Sequence, residues 1–311
     1  MEIYTALPTQ PILERCALSI GTFDGVHRGH QLLVEQLKRE AASRNLPSAV
    51  LTFQDMPYCY FRPDDCPRLL TLMDEKIAAF AELGIDHLFI VPFDETVAVQ
   101  PYDSFATEVL HKNIGAKLLV VGPDFALGKG REGNVTALQA LGERVGFETR
   151  VLGEKMEWED EAISSTRVRG AVESNAVDGA TQMLGRNFHL AGQVVPGKQL
   201  GRTIGVPTIN FKVHPRKVLP ANGIYAAWVS FDGEDTRHKA ALSIGTNPTV
   251  TAEASIKLEF HVIGENIETP PQEVRVEPVQ WLRSEAKFDS LEALVAQMKD
   301  DIARSAAILS R

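Results

Sequence analysis

The sequence predicts an α/β domain built on a parallel sheet over residues 1–185 and a smaller β domain over 186–311 that ends in a helix. Three observations predict it. Short apolar runs alternate with helical patterns through the first half, and such βαβ units imply a parallel sheet covered on both faces. Around Gly185–Asn187 the alternation gives way to strand-like runs punctuated by Gly and Pro, the pattern of a small closed or sandwich-like β fold. A length of 311 residues suits about two domains.

The elements follow in order. Cys16–Gly21 reads as a short buried strand and Arg28 to Ser43 as a helix, followed by a strand over Ser48–Phe53. Asp74–Leu83 is helical, His87–Phe93 a strand and Tyr102–Asn113 helical again. Lys117–Gly122 is a strand of the kind buried on both faces; Val135–Val145 is helical and Glu148–Leu152 a strand. Thr166–Leu184 reads as two short helices closing this half. In the second half Gly223–Phe231, Lys239–Ile244, Ser255–Ile263 and Glu273–Trp281 read as strands. The third alternates, with Ile256, Leu258, Phe260 and Val262 on one face and Lys257, Glu259 and His261 on the other. Leu291, Leu294, Val295, Met298 and Ile302 recur at helical spacing, with Asp289 or Ser290 as the cap.

Composition excludes several classes. At 44% hydrophobic and 23% charged residues the chain is neither disordered nor collagenous nor a disulfide-rich miniprotein. A formal charge of −9 argues against nonspecific nucleic-acid binding, which rests on basic neutralisation of phosphate. It leaves room for a mononucleotide, whose charge Mg²⁺ and backbone N–H groups can carry. The three cysteines, Cys16, Cys59 and Cys66, form no CxxC pair and are odd in number, which fits a reducing compartment and excludes a cysteine zinc cluster. Met1 to Arg15 contains Glu2 and Glu14 and no long apolar run, and nothing approaches a membrane span. The expectation is a soluble cytoplasmic protein.

Ser19 to His30 sits at a strand-to-helix junction, where open α/β sheets bind ligands. Gly21 and Gly25 permit tight backbone turns, and the helix N-terminus behind them attracts phosphate. His27 and His30, three apart, can face one site and suit negative charge developing on phosphorus, with no covalent nucleophile needed. The plainer reading is that they cap the helix; two histidines and two glycines at one junction favour function. No third ligand at a recognisable spacing supports zinc.

Gly21-Thr22-Phe23-Asp24-Gly25-Val26-His27-Arg28-Gly29-His30 resembles the nucleotide-binding signature of the bacterial bifunctional riboflavin kinase/FAD synthetases. Val121 to Arg131 resembles that family's Gly-x-Asp-Phe-x-Phe-Gly segment, with Leu127 where an aromatic is usual, and Ile163-Ser164-Ser165-Thr166-Arg167-Val168-Arg169 its Ile-Ser-Ser-Thr-x-Ile-Arg segment. The resemblance implies a Rossmann-like nucleotidyltransferase domain in which His27 and His30 are catalytic. It implies nucleotide contacts at Gly21, Phe23, Asp24, Gly25, Asp124, Ser164, Ser165, Thr166 and Arg169. It places flavin against Phe53, Pro57 and Phe125. Where the family has Phe-Glu-Pro-His-Pro, this chain has Phe53-Gln54-Asp55-Met56-Pro57. Read alone, Ser164 to Arg169 would be an N-cap with a solvated Arg.

Gly192 to Asn210 carries four glycines and can either wrap a polyphosphate or form a β-hairpin; it is not a Walker A loop. Thr208 and Asn210 point the same way in an extended segment and offer hard oxygen donors suited to Mg²⁺. Gly201 to Asn210 is similar to the riboflavin kinase signature around Pro-Thr-Ala-Asn, with Ile209 in place of Ala and Pro196 where His is common. That implies a riboflavin kinase-like small β-barrel with nucleotide contacts at Gly197, Gly201, Arg202, Gly205, Pro207 and Thr208, and Mg²⁺ on Thr208 and Asn210. Leu219 to Tyr225 and Ser243 to Thr249 resemble flavokinase loops, which places flavin near Asn222 and Asn247. Glu259, by itself a solvated strand residue, matches the family's catalytic carboxylate. Ile263 to Pro271 departs from the family before the match resumes at Trp281.

The function so implied is conversion of riboflavin to FMN and of FMN to FAD, both with ATP and Mg²⁺. Riboflavin, FMN and ATP are then the partners, with neither nucleic acid nor membrane. The alternatives are a flavin- or nucleotide-binding protein without catalysis, or an enzyme retaining one of the two activities.

Overall fold

The structure is a computed structural model and describes residues 1–153, 155–197, 201, 204–247 and 255–310. The chain divides into two compact units, Met1–Ser165 and Thr166–Arg311.

The first unit is a six-stranded, all-parallel sheet. Its strands are β1 (Glu2–Tyr4), β2 (Cys16–Ile20), β3 (Ser48–Phe53), β4 (His87–Val91), β5 (Ala116–Val121) and β6 (Glu148–Val151), in the order β1-β4-β3-β2-β5-β6. Alternate side chains along each strand serve opposite layers. Leu18, Ile20, Leu51, Leu119 and Val121 enter one core, while Ala17, Val50, Leu118 and Val120 enter the other with Leu37 and Phe80. This two-sided burial makes the strands read as unbroken apolar runs. β1, which the sequence pattern does not predict, is three mostly exposed residues at the sheet edge.

Helices α1 (Arg28–Ser43), α2 (Pro57–Phe61), α3 (Met73–Leu83) and α4 (Val135–Val145) connect the strands. Tyr102–Asn113, expected as one helix, is a single turn followed by a π-helical stretch over Phe105–Asn113, closed by Ile114 N–H donating to Val109 O. The cysteines depart from the expectation of thiols: Cys59 and Cys66 form a disulfide and Cys16 is free and buried. α2 and the tight turn at Pro63–Asp65 fold the chain back, bringing the two Cα atoms to 4.7 Å.

The second unit begins with α5 (Ser165–Glu173, whose first residue lies in the first unit) and α6 (Val177–Leu184). A closed antiparallel barrel follows. Its strands are β7 (Leu190–Val195), β8 (Ile209–Val213), β9 (Gly223–Phe231), β10 (His238–Asn247), β11 (Ser255–Val262) and β12 (Glu273–Arg283), in the order β7-β8-β11-β10-β9-β12. α7 (Leu291–Ile308) ends it, with Ser290 Oγ accepting from Ala293 N–H as the N-cap. Closure removes the sheet edges that a small β domain would otherwise expose. Leu258, Phe260 and Val262 are buried as their alternation predicts; Ile256, at the strand end, is exposed.

Candidate functional site

The strand order reverses at β2: the chain proceeds to β3 on one side, and β5 lies on the other. Crevices for ligands open at such switch points, beyond the carboxyl ends of the strands. The histidine turn follows β2, and Asp124 and Phe125 follow β5. The turn is tightly wound, with Phe23 at φ 50°, Gly25 at φ 85° and Val26 at φ 39°. Left-handed conformations at two non-glycine residues need support from their surroundings. Asp24 supplies it. Its buried carboxylate accepts from Leu70 N–H at 3.0 Å and from Thr71 N–H at 3.1 Å and hydroxyl at 3.3 Å, while Gly25 N–H donates to Thr71 Oγ1 at 3.0 Å.

His27 is the N-cap of α1, and its Nδ1 accepts from His30 N–H at 3.4 Å. A neutral His27 so bonded carries its proton on Nε2. The two imidazoles stack, centroids 3.6 Å apart and planes at 18°, and Phe23 meets His30 edge-on at 5.1 Å. Burial first, then the neighbouring His27 and Lys76, holds His30 well below the usual histidine range, so its ring is neutral near pH 7. Among the described residues, His30 Nδ1 is buried and has no hydrogen-bond partner. An orphaned ring nitrogen beside a helix N-terminus is a group waiting for a ligand atom.

Ser165 joins this cluster, its hydroxyl donating to Asp24 O at 2.8 Å. Ser164 and Thr166 are exposed, and along α5 Arg169 Nη2 approaches Thr166 Oγ1 at 3.5 Å. Gly21 precedes the turn, and a Cβ there would lie 3.1 Å from the Phe23 ring. Phe53 and Phe125 pack against the same core cluster. Phe53 meets Phe93 at 5.4 Å, and Phe93 in turn contacts Tyr60 and the well-exposed Phe61. Pro57 opens α2, which carries both aromatics. Beyond β3 and β4, the exposed Tyr60 and Phe61 therefore rest on the partly buried Phe93, three aromatics that the motifs do not single out. The aromatic run after Pro57 is the signal for it. Asp124 stands apart: its carboxylate is exposed and paired with Lys155 at 2.7 Å.

In the barrel, the predicted polar face of β11 gathers several polar side chains. Glu259 lies opposite Asn210 on β8 and Ser243 on β10. Its Oε2 accepts from Thr208 Oγ1 at 3.1 Å, and its Oε1 pairs with Lys257 Nζ at 2.7 Å. His261 Nδ1 lies 2.7 Å from Pro207 O. Two cavities meet at Thr208 and His261. One, of about 400 Å³, is lined by Pro196, Gly197, Pro207 and Asn210. The other, of about 330 Å³, takes in Gly201, Glu259 and Lys257, and α7 forms its apolar wall through Leu294, Met298 and Ile302. At Gly197 an added Cβ would lie 2.2 Å from Asn210 Nδ2, so any larger residue there would displace the Asn210 amide. The described part of the glycine segment thus includes two paired strands, β7 and β8, with Gly205 at φ 77° ahead of β8.

Asn222 is exposed and lines neither cavity. Arg202 lies outside the described residues, as does the side chain of Asn247. Lys257 and the α7 wall are additions to the site that sequence motifs do not reveal.

Residues 9–167 match the FAD synthetase family and residues 184–309 the riboflavin kinase family. The bifunctional riboflavin kinase/FMN adenylyltransferase of Escherichia coli (strain K12) is 39% identical over 288 residues, covering 93% of this chain and 91% of that protein. The chain belongs to the bifunctional riboflavin kinase/FMN adenylyltransferase family. The Haemophilus influenzae protein of the same name is 34% identical, covering 96% of each chain. A crystal structure described as a macrolide-efflux protein from Streptococcus pneumoniae superimposes with a TM-score of 0.89 at 26% identity, covering 98% of this chain and 99% of that one. Among the described residues, no helix of this chain is long and apolar enough to cross a membrane.

Proposed function

We propose that this chain phosphorylates riboflavin to FMN in its barrel and adenylylates FMN to FAD in its α/β domain, with ATP as donor in both steps. The observation that carries the reading is that each compact unit holds its own polar cluster suited to one of the two reactions: stacked His27 and His30 at a helix N-terminus, and Glu259 between Thr208 and Lys257 beside a cavity. We assign working domains of 1–185 and 186–311 to the two reactions. Thr166 and Arg169 then serve adenylylation, although their helix falls largely in the second compact unit.

In the kinase step Glu259 accepts the proton of the riboflavin 5′-hydroxyl as its oxygen attacks the γ-phosphorus and ADP leaves. The cavity bounded by Glu259 and the apolar wall of α7 suits the flavin. The cavity bounded by Gly197, Pro207 and Asn210 suits ATP, with Gly201, Gly205 and Arg202 assigned to the nucleotide and Asn222 and Asn247 to the flavin rim. The uncharged oxygen donors of Thr208 and Asn210 beside a carboxylate fit Mg²⁺, which prefers hard oxygen ligands and substrate phosphates. Bound there, Mg²⁺ would neutralise phosphate charge.

In the adenylyl step a phosphate oxygen of FMN attacks the α-phosphorus of ATP and pyrophosphate leaves. His27 and His30 donate to oxygens on which charge develops, which is electrostatic rather than covalent catalysis. Neutral imidazoles do so through N–H, and burial keeps His30 in that form. Ser164, Ser165, Thr166 and Arg169 hold phosphate oxygens. Phe53, Pro57 and Phe125 border the flavin. A cytoplasmic setting, with flavins and ATP as partners and no nucleic acid or membrane, completes the reading.

The test is a time course with riboflavin, ATP and Mg²⁺, flavins being separated by chromatography. FMN appearing before FAD is expected. FMN alone would remove the adenylyl step, and no turnover with tight flavin binding would replace the enzyme by a binding protein.

A further inference from the structure

Helix α3 buries one face, and its three buried residues are Lys76, Ala79 and Phe80. Two are ordinary core residues; the third is a lysine 4% exposed. Its Nζ donates to Thr22 O at 2.9 Å and lies 3.4 Å from both Phe53 O and Thr52 Oγ1. Thr52 Oγ1 itself donates to Thr22 O at 3.0 Å. Thr22 lies in the histidine turn just beyond β2, and Phe53 ends β3. One amine therefore ties the carboxyl ends of two adjacent strands, one leading to the histidines and the other to the aromatic loop. Asp24 from the histidine turn and Asp55 from the loop after β3 face it with negative charge, and His30 from α1 feels its positive charge. On α3 itself, Asp74 and Glu75 flank it in sequence, with Glu75 turned to Leu72 N–H.

A buried ammonium is costly, and an apolar side chain of similar volume would stabilise this helix face better. Desolvation pushes the amine down to about 8, with Asp24 and Asp55 opposing the fall. A charge kept at such a cost, at the junction of two ligand-facing loops, calls for a role beyond packing.

We propose that Lys76 is a positioning residue for adenylyl transfer, clamping the histidine turn to the loop after β3 so that His27 and His30 meet the nucleotide at a fixed distance from the flavin. The inference rests on the adenylyltransferase reading of this unit. Misplacing reacting groups by about 1 Å can cost about a hundredfold in rate. The clamp acts through the histidine turn, so its loss falls on kcat more than on KM.

The test uses the full chain and both activities in one protein. Lys76→Met, with wild-type circular dichroism, is expected to lower kcat for FAD formation from FMN by at least about tenfold. Riboflavin phosphorylation should stay at the wild-type rate. The KM for FMN should stay within about twofold of wild type, whereas a turn that merely collapsed would lose substrate binding as well. Should the variant fail to fold, the wild type still decides: adenylylation should fall as pH rises through about 8, where the amine loses its proton, with no matching limb in the kinase profile. A Lys76→Met variant adenylylating at the wild-type rate, or a wild-type adenylylation profile flat to pH 9.5, would overturn the role of Lys76. A wild type that makes no FAD from supplied FMN would overturn the adenylyltransferase reading itself.

Discussion

The Asp24 carboxylate braces the histidine turn. It accepts from the backbone of Leu70 and Thr71, both buried. Asp24→Ala leaves two buried backbone N–H groups, those of Leu70 and Thr71, without this acceptor. Each unsatisfied donor costs about 1–3 kcal/mol, so the ceiling is roughly 6 kcal/mol. Water entering the space of the lost carboxylate recovers part of that, and about 3 kcal/mol is the expected loss. For a unit of this size, 1 kcal/mol shifts Tm by about 2–4 °C, which gives a fall of roughly 6–12 °C. Calorimetry resolves it, provided the transition of the first unit is followed separately. Adenylylation should fall as the turn loosens, and riboflavin phosphorylation should persist. Asp24→Asn, which keeps one acceptor oxygen, should lose less stability. An unchanged transition with adenylylation abolished would refute the reasoning and make Asp24 a ligand-facing carboxylate.

Three further outcomes are expected. His30 is held below its unfolded pKa of about 6.5, so the unfolded state takes up the proton first. Stability of the first unit is therefore full above about pH 6.5 and falls as pH drops below it, and His30→Gln should flatten that fall in acid unfolding titrations. The Arg283–Asp301 pair, with Asp301 buried and Arg283 partly exposed, joins β12 to α7 with contacts of 2.6–3.1 Å. Asp301→Ala should cost about 1–3 kcal/mol and raise the riboflavin KM by loosening the α7 wall, leaving adenylylation of supplied FMN intact in steady-state assays. Alkylation of the unfolded, unreduced protein should add one group, at Cys16, and three after reduction, as read by intact mass.

Much of the α/β unit is legible because each element satisfies its own local rule. Ser48–Phe53, Arg28–Ser43 and Val135–Val145 fall where apolar runs and helical stripes place them. β1 is invisible because three residues at an edge carry no periodicity. β7 and β8 hide among glycines, one of which, Gly197, leaves room for the Asn210 amide from the neighbouring strand. The histidine turn and Glu259 are legible as motifs, yet the partners that set their geometry are not. Lys257 is two residues from Glu259, a spacing typical of any polar strand face. Lys76 follows Asp74 and Glu75 and resembles a solvated helix start. Only its place on the stripe with Ala79 and Phe80 marks it as buried. Asp24 sits inside a binding motif, yet its bonds to Leu70 and Thr71 are not legible, because sequence places a residue in a turn without saying which way its carboxylate points.

The account rests on two sites that work independently, and one pair of variants tests that most directly. His30→Ala and Glu259→Gln are each assayed for FMN formation from riboflavin and for FAD formation from supplied FMN, after circular dichroism establishes that both are folded. His30→Ala is predicted to make FMN at the wild-type rate and no FAD. Glu259→Gln is predicted to make FAD from FMN and no FMN from riboflavin. Either substitution abolishing both reactions in a folded protein would contradict the division of chemistry between the two units.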